Sequence, residues 1–265
     1  MSYAAGAPIL EVSNAAKSFD GVHAVAGASF AVARGSITAL IGPNGAGKTT
    51  MFDLLSGFAR PDSGTIRLDG REIAGMAPHR IARLGLVRTF QLTRVLAGMS
   101  VLDNMLLASP RNPGEHLPLL LTAPGRARRA EDEARNVADE LLQTFGLQTK
   151  ASDYAGSLSG GQRKLLEIAR ALMTSPSLVL LDEPMAGVNP TLGRGILTYI
   201  ADLRRARGIT FLFVEHDMDV VMSSADRVVV MAQGNVISAG SPAEIRADPA
   251  VVAAYLGRPA NGRRP

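Results

Sequence analysis

Three stretches of the chain are strongly apolar and of strand length: Ser36–Ile41, Leu178–Leu181 and Ile209–Val214. Leu86–Phe90 is a further strand-like segment. Shorter apolar segments, Ile9–Val12 and Ser29–Val32, flank the loop Phe19-Asp20-Gly21, and Thr65–Leu68 runs into the turn Asp69-Gly70. Between these lie helix patterns. Lys48–Ser56 follows a glycine-rich stretch, and Ser100–Leu107 opens with Ser100 and Asp103 at capping-box spacing. Arg126–Phe145 carries Val137, Leu141, Leu142 and Phe145 on one face of an otherwise charged helix. A helix after Leu181 starts at Asn189-Pro190, a cap residue followed by proline at the first helical position. Val228–Met231 and Val236–Ser238 form a pair of short strands around Gly234-Asn235, and Ser241-Pro242-Ala243-Glu244 caps one more helix. Apolar strands alternating with helices predict an α/β fold with a largely parallel sheet. Arg111–Gly125 is rich in Pro and Leu and reads as an irregular insertion, and Gly257–Pro265 as a frayed tail.

With 265 residues and 46 % apolar content the chain can build a large core, which excludes wholesale disorder. Lys plus Arg exceeds Asp plus Glu by only 28 to 24, a bias that suits an anionic ligand but does not point to nucleic acid. No cysteine is present, so disulfides, thiolate metal sites and cysteine nucleophiles are excluded. No apolar run approaches the length needed to cross a bilayer, and the N-terminus lacks the pattern of an export signal.

The candidate chemistry starts after the first apolar run. Gly42-Pro43-Asn44-Gly45-Ala46-Gly47-Lys48-Thr49 fits G-x-x-x-x-G-K-[ST] between a strand and a helix. The glycines let backbone amides turn inward around a β-phosphate, Lys48 would reach the β- and γ-phosphates, and the Thr49 hydroxyl would ligate Mg²⁺. Thr50 continues the same helix start. Leu178–Leu181 runs into adjacent acids, Asp182 and Glu183. Side chains alternate along a strand, so the two point differently: Asp182 would organise Mg²⁺ and Glu183 would act as general base on water. His216 follows the Ile209–Val214 strand and is placed to hydrogen-bond a γ-phosphate. Gln91 ends Leu86–Phe90, where a neutral amide can meet a metal or an attacking water. Leu158-Ser159-Gly160-Gly161-Gln162 is a second glycine-rich helix start, a second ready-made anion site.

These motifs, in this order from about Ile9 to Gly257, strongly resemble the ATP-binding subunit of ABC transporters. Gly42–Thr49 matches Walker A, Gln91 the Q-loop, Leu158–Gln162 the signature, Leu178–Glu183 Walker B with its catalytic acid, and His216 the switch histidine. The resemblance implies a P-loop NTPase core of ABC type with an antiparallel β subdomain and a helical subdomain. The nucleotide-binding domain would cover 5–250, its helical part about 92–157, with a tail at 251–265. It implies ATP and Mg²⁺ as cofactors and a head-to-tail pair of subunits, in which Ser159, Gly160, Gly161 and Gln162 close over the ATP held by the partner. Phe19 matches the aromatic that stacks on adenine, where Tyr is common. Ala186-Gly187-Val188-Asn189 matches the D-loop, with Asn189 where many members carry Asp.

Arg88-Thr89-Phe90-Gln91, the insertion before the signature, and the ending Pro249–Gly257 resemble the longer ATP-binding subunit of branched-chain amino-acid importers. Close alternatives are the ATPases of urea or amide importers and of lipopolysaccharide exporters, and a soluble iron–sulfur assembly ATPase. The importer reading implies two permease subunits, a solute-binding protein, and a second ATP-binding subunit. That second subunit is expected to be a shorter paralogue, with a homodimer as the other possibility. No nucleic-acid partner is expected, and the chain would sit at the cytoplasmic face of the plasma membrane.

Overall fold

The computed structural model describes residues 7–89, 95–110 and 124–256. Phe90, Gln91, most of the Pro- and Leu-rich insertion and the tail Gly257–Pro265 lie outside the described residues. Along the chain the elements are β1 (Leu10–Phe19), β2 (Val22–Val32), β3 (Ile37–Ile41), α1 (Lys48–Ser56), β4 (Ser63–Leu68), β5 (Arg71–Glu72), α2 (Pro78–Arg83), β6 (Leu86–Arg88), α3 (Val101–Leu107) and α4 (Pro124–Thr144). They continue as α5 (Gly160–Leu172), β7 (Leu178–Asp182), α6 (Pro190–Arg207), β8 (Thr210–Val214), α7 (Met218–Ser224), β9 (Arg227–Ala232), β10 (Asn235–Gly240), α8 (Pro242–Ala247) and α9 (Pro249–Leu256).

Two compact units are formed. The first comprises Met1–Arg88, Ser177–Glu183 and Ile200–Pro265, and the second Thr89–Pro176 and Pro184–Tyr199. The first unit holds both sheets. One is antiparallel, with strand order β2-β1-β4-β5. The other has the order β10-β9-β3-β8-β7-β6, parallel from β9 to β6 with β10 antiparallel at its edge. Every residue of β3, β7 and β8 is buried. That is why these strands read as unbroken apolar runs rather than as alternating ones. The register Leu40–Val214 and Val214–Asp182 brings the ends of β3, β8 and β7 level. The phosphate loop, the Asp182-Glu183 pair and His216 therefore leave the sheet along one edge, the carboxyl edge where parallel α/β sheets hold ligands.

β1 and β2 are longer than their apolar segments predict. Phe19 pairs with Val22 across the two-residue turn Asp20-Gly21, whose φ values of 47° and 84° are those a tight hairpin requires. Register shifts at Val12/Ala15, Ala15/Ala16 and Lys17/Ser18 break the period of two. The alternation that marks a strand in the sequence is lost while the pairing continues.

In the second unit, Ala134, Ala138, Leu141 and Leu142 form the buried stripe of α4, and the ring of Phe145, the residue after its end, is buried too and meets Tyr199 edge-on at 5.2 Å between centroids. Val137, expected on that face, is only partly buried, because the stripe runs through the two alanines instead. Asn104 on α3 is fully buried and binds both the amide and the carbonyl of Leu96, at 2.9 and 3.0 Å, and the Ser100 carbonyl at 2.9 Å. A buried amide side chain satisfied in this way pins the preceding loop to the helix.

Candidate functional site: the phosphate loop and its acids

The loop between β3 and α1 is held by backbone crowding. Gly42 has φ 151° and Gly47 φ 99°. A Cβ at Gly42 would stand 2.0 Å from the Met231 carbonyl oxygen, and one at Gly47 2.2 Å from that of Ala24. The loop thus lies directly on the end of β9 and on β2. The Gly234 amide donates to the Ala46 carbonyl at 3.1 Å, and the Gly234 carbonyl accepts from Ala26 at 2.8 Å, so the β9–β10 turn ties the loop to β2. α1 opens at Gly47 without a side-chain cap, which leaves the first-turn amides, including those of Lys48, Thr49 and Thr50, for an external acceptor.

Gly42→Ala is expected to lower stability by about 2–3 kcal/mol and weaken nucleotide binding at least tenfold, because a backbone carbonyl blocks the new methyl. At Gly45 the added methyl meets nothing within 4 Å. Gly45→Ala should carry only the left-handed backbone penalty of about 1–2 kcal/mol. Urea unfolding of the two variants side by side checks the difference.

The Lys48 side chain curls over the loop, and its ammonium donates to the Gly42 and Pro43 carbonyls at 2.8 and 3.1 Å. Burial lowers its pKa, while the charges of Glu183 and then Asp182 hold it up. A buried cation with two carboxylate charges near it, beside an uncapped helix start, is an arrangement whose donor set fits a magnesium–polyphosphate.

Asp182 and Glu183 do take different directions. Asp182 Oδ2 accepts from Arg88 Nη2 at 2.8 Å, and both side chains are 7 % exposed. Breaking one partner out of such a buried pair costs about 3–5 kcal/mol. Glu183 has φ 47°, a left-handed conformation uncommon for a residue with a long side chain. Its amide still bonds the Val214 carbonyl at 3.1 Å, which holds the turn against β8. The turn sends its carboxylate to His216, whose Nε2 lies 2.9 Å from Oε1. A carboxylate hydrogen-bonded to an imidazole at a strand end is a competent pair for activating water.

Of the remaining expected residues, Phe19 ends β1, is 48 % exposed, and has the Lys17 ammonium 5.2 Å from its ring centroid. Gln91 lies outside the described residues. In the second unit Ser159 caps α5 with a full capping box. Its hydroxyl accepts from the Gln162 amide at 3.2 Å, and Gln162 Oε1 accepts from the Ser159 amide at 3.0 Å. α5 starts at Gly160, directly after the Ser159 cap, because the box fixes the first turn. A Cβ on Gly161 would meet the Leu192 Cδ2 methyl at 2.2 Å, so a larger residue there would have to displace that side chain. Asn189 Oδ1 accepts from the Leu192 amide at 2.9 Å, confirming its role as the cap of α6.

Sequence reasoning gave no chemical role to Arg88 or Tyr255. Arg88 offered a signal, since a charge in a short apolar strand must find a buried partner. Tyr255 on α9 lies by the Gly42 backbone of the phosphate loop: burial raises its phenol pKa, and the nearby Gly42 backbone opposes that rise.

A family described as "ABC transporter" matches residues 25–186. The chain belongs to the ABC transporter ATP-binding family. A second family, described as "Branched-chain amino acid ATP-binding cassette transporter", matches residues 235–261, which include β10, α8 and α9. The chain is 44 % identical over 250 residues to the high-affinity branched-chain amino acid transport ATP-binding protein BraF of Pseudomonas aeruginosa, covering 94 % of this chain and 98 % of that protein. It is 40 % identical to LivG of Escherichia coli, a protein of the same description, with the same coverage. Among solved structures it matches a nucleotide-free ATP-binding cassette from an ABC transporter at TM-score 0.82 and 37 % identity, over 95 % of this chain and all of that one. The ADP conformation of an ABC transporter cassette matches equally well, with TM-score 0.82, 36 % identity and coverage of 96 and 100 %. The protein is an ATP-hydrolysing subunit of a transporter, with ATP and Mg²⁺ as its cofactors. No described helix is long and apolar enough to cross a membrane.

Proposed function

We propose that this chain powers the import of branched-chain amino acids. In this reading it is one of two ATP-binding subunits, the other a shorter paralogue, carried at the cytoplasmic face of the plasma membrane by two permease subunits and served by a solute-binding protein. The observation that carries the solute is the match of residues 235–261 to the branched-chain amino-acid family, in a chain 40–44 % identical to BraF and LivG.

The residues divide the work as follows. Gly42–Thr50 wraps the phosphates, with Lys48 leaving its loop carbonyls for the β- and γ-oxygens. Thr49 and Asp182 would hold Mg²⁺, with Gln91 as a further ligand. Held there, Mg²⁺ would supply charge neutralisation at the phosphate oxygens. Glu183 accepts the proton of the attacking water, and His216, bonded to its Oε1, keeps the carboxylate aimed. Phe19 stacks on adenine. Ser159, Gly160, Gly161 and Gln162 present their helix start to the γ-phosphate held by the partner subunit, which makes hydrolysis depend on pairing.

Affinity purification of the tagged chain from detergent-solubilised membranes tests the assembly. The expected recovery is two integral membrane proteins and one further ATP-binding chain. Recovery with soluble scaffold proteins alone would overturn the importer reading.

A further inference from the structure

Arg88 closes β6, a short strand whose other residues are apolar. Its side chain is 7 % exposed, and its guanidinium forks. Nη2 donates to Asp182 Oδ2 at 2.8 Å, while Nη1 donates to Asp53 Oδ1 at 2.5 Å and to Ser56 Oγ at 3.3 Å. The same group lies 5.6 Å from the centroid of the Phe52 ring. Asp53, Ser56 and Phe52 all belong to α1, the helix that begins with Lys48 and Thr49. Asp182 is the last residue of β7. One side chain therefore joins the helix that presents Thr49 to the strand end that presents Asp182.

We propose that Arg88 is a positioning residue for the magnesium site, fixing the orientation of the Asp182 carboxylate and its spacing from Thr49. The inference rests on the assignment of Thr49 and Asp182 as the metal-organising groups. A carboxylate at a strand end can rotate, and the bond from Arg88 Nη2 to Oδ2 restricts that rotation. Two carboxylates on different elements need a planar donor with separate prongs, which Arg supplies and Lys does not. Outer partners of this kind typically set metal affinity by about 10–100-fold.

The test is ADP binding to the full chain by calorimetry, across a Mg²⁺ series and in EDTA. Arg88→Met is expected to raise the Mg²⁺ needed for half-maximal binding about tenfold or more, with affinity in EDTA within about twofold of wild type. Arg88→Lys should fall between the two. Asp53→Asn, which loosens only the arm to α1, should shift the requirement about threefold. If Arg88→Met does not fold, the latter two variants decide. A wild-type Mg²⁺ requirement in both overturns the proposal, as does an affinity loss of equal size in EDTA. Asp182→Asn separates the two claims. Should it keep the wild-type Mg²⁺ requirement, the metal assignment fails and the inference with it. Should it shift while the Arg88 variants do not, the inference alone fails.

Discussion

Glu183→Gln is expected to lower ATP turnover by about 10²–10⁴-fold while leaving ATP binding within a few-fold of wild type. The substitution keeps the shape of the side chain and the backbone at φ 47°, and the new amide can still bond His216 Nε2, which sits 2.9 Å from the present oxygen. What it removes is the proton acceptor. The corresponding rise in barrier is about 3–5 kcal/mol, concentrated in kcat, because the carboxylate works on water rather than on nucleotide affinity. Steady-state hydrolysis by the assembled transporter, set beside nucleotide binding to the same variant, measures both halves. Turnover at the wild-type rate would remove Glu183 as the base.

Lys48→Ala is expected to weaken ATP and ADP binding by about 10²–10³-fold. The ammonium is the buried cation of the loop, and each charge-assisted hydrogen bond to a phosphate oxygen contributes about 1.5–3 kcal/mol, so two of them account for the loss. The variant also leaves the Gly42 and Pro43 carbonyls without the donor they have now. Its effect should nevertheless separate from unfolding. Without nucleotide the melting temperature should fall by only a few degrees, whereas the upward shift that MgATP gives the wild type should vanish. Unchanged affinity would mean that the loop is not the phosphate cradle.

The parts of the site that were legible in the sequence are those compressed into short runs. The β3–loop–α1 unit is a contiguous motif, and Asp182-Glu183 ends an apolar strand, so spacing alone places them. Ser159 and Asn189 were legible for the same reason, since a cap acts on amides two or three residues away. What lay hidden depends on contacts far apart in the chain. Arg88 meets Asp182 across 94 positions, and nothing local to either one names the other. The Gly234 amide reaches Ala46 from the β9–β10 turn at the same edge of the sheet, and Tyr255 on the final helix lies by the Gly42 backbone. The full length of β1 and β2 was hidden differently, because bulges erase the alternation while the strands stay paired.

The most direct test of the account is uptake of labelled leucine, isoleucine, valine and urea by a strain lacking this chain and every other importer of those solutes. The strain is complemented with wild type or with Glu183→Gln. The account predicts that uptake of the three branched-chain amino acids returns with wild type and not with Glu183→Gln, and that urea uptake returns with neither. Uptake restored by Glu183→Gln, or restored by wild type for urea alone, would contradict it.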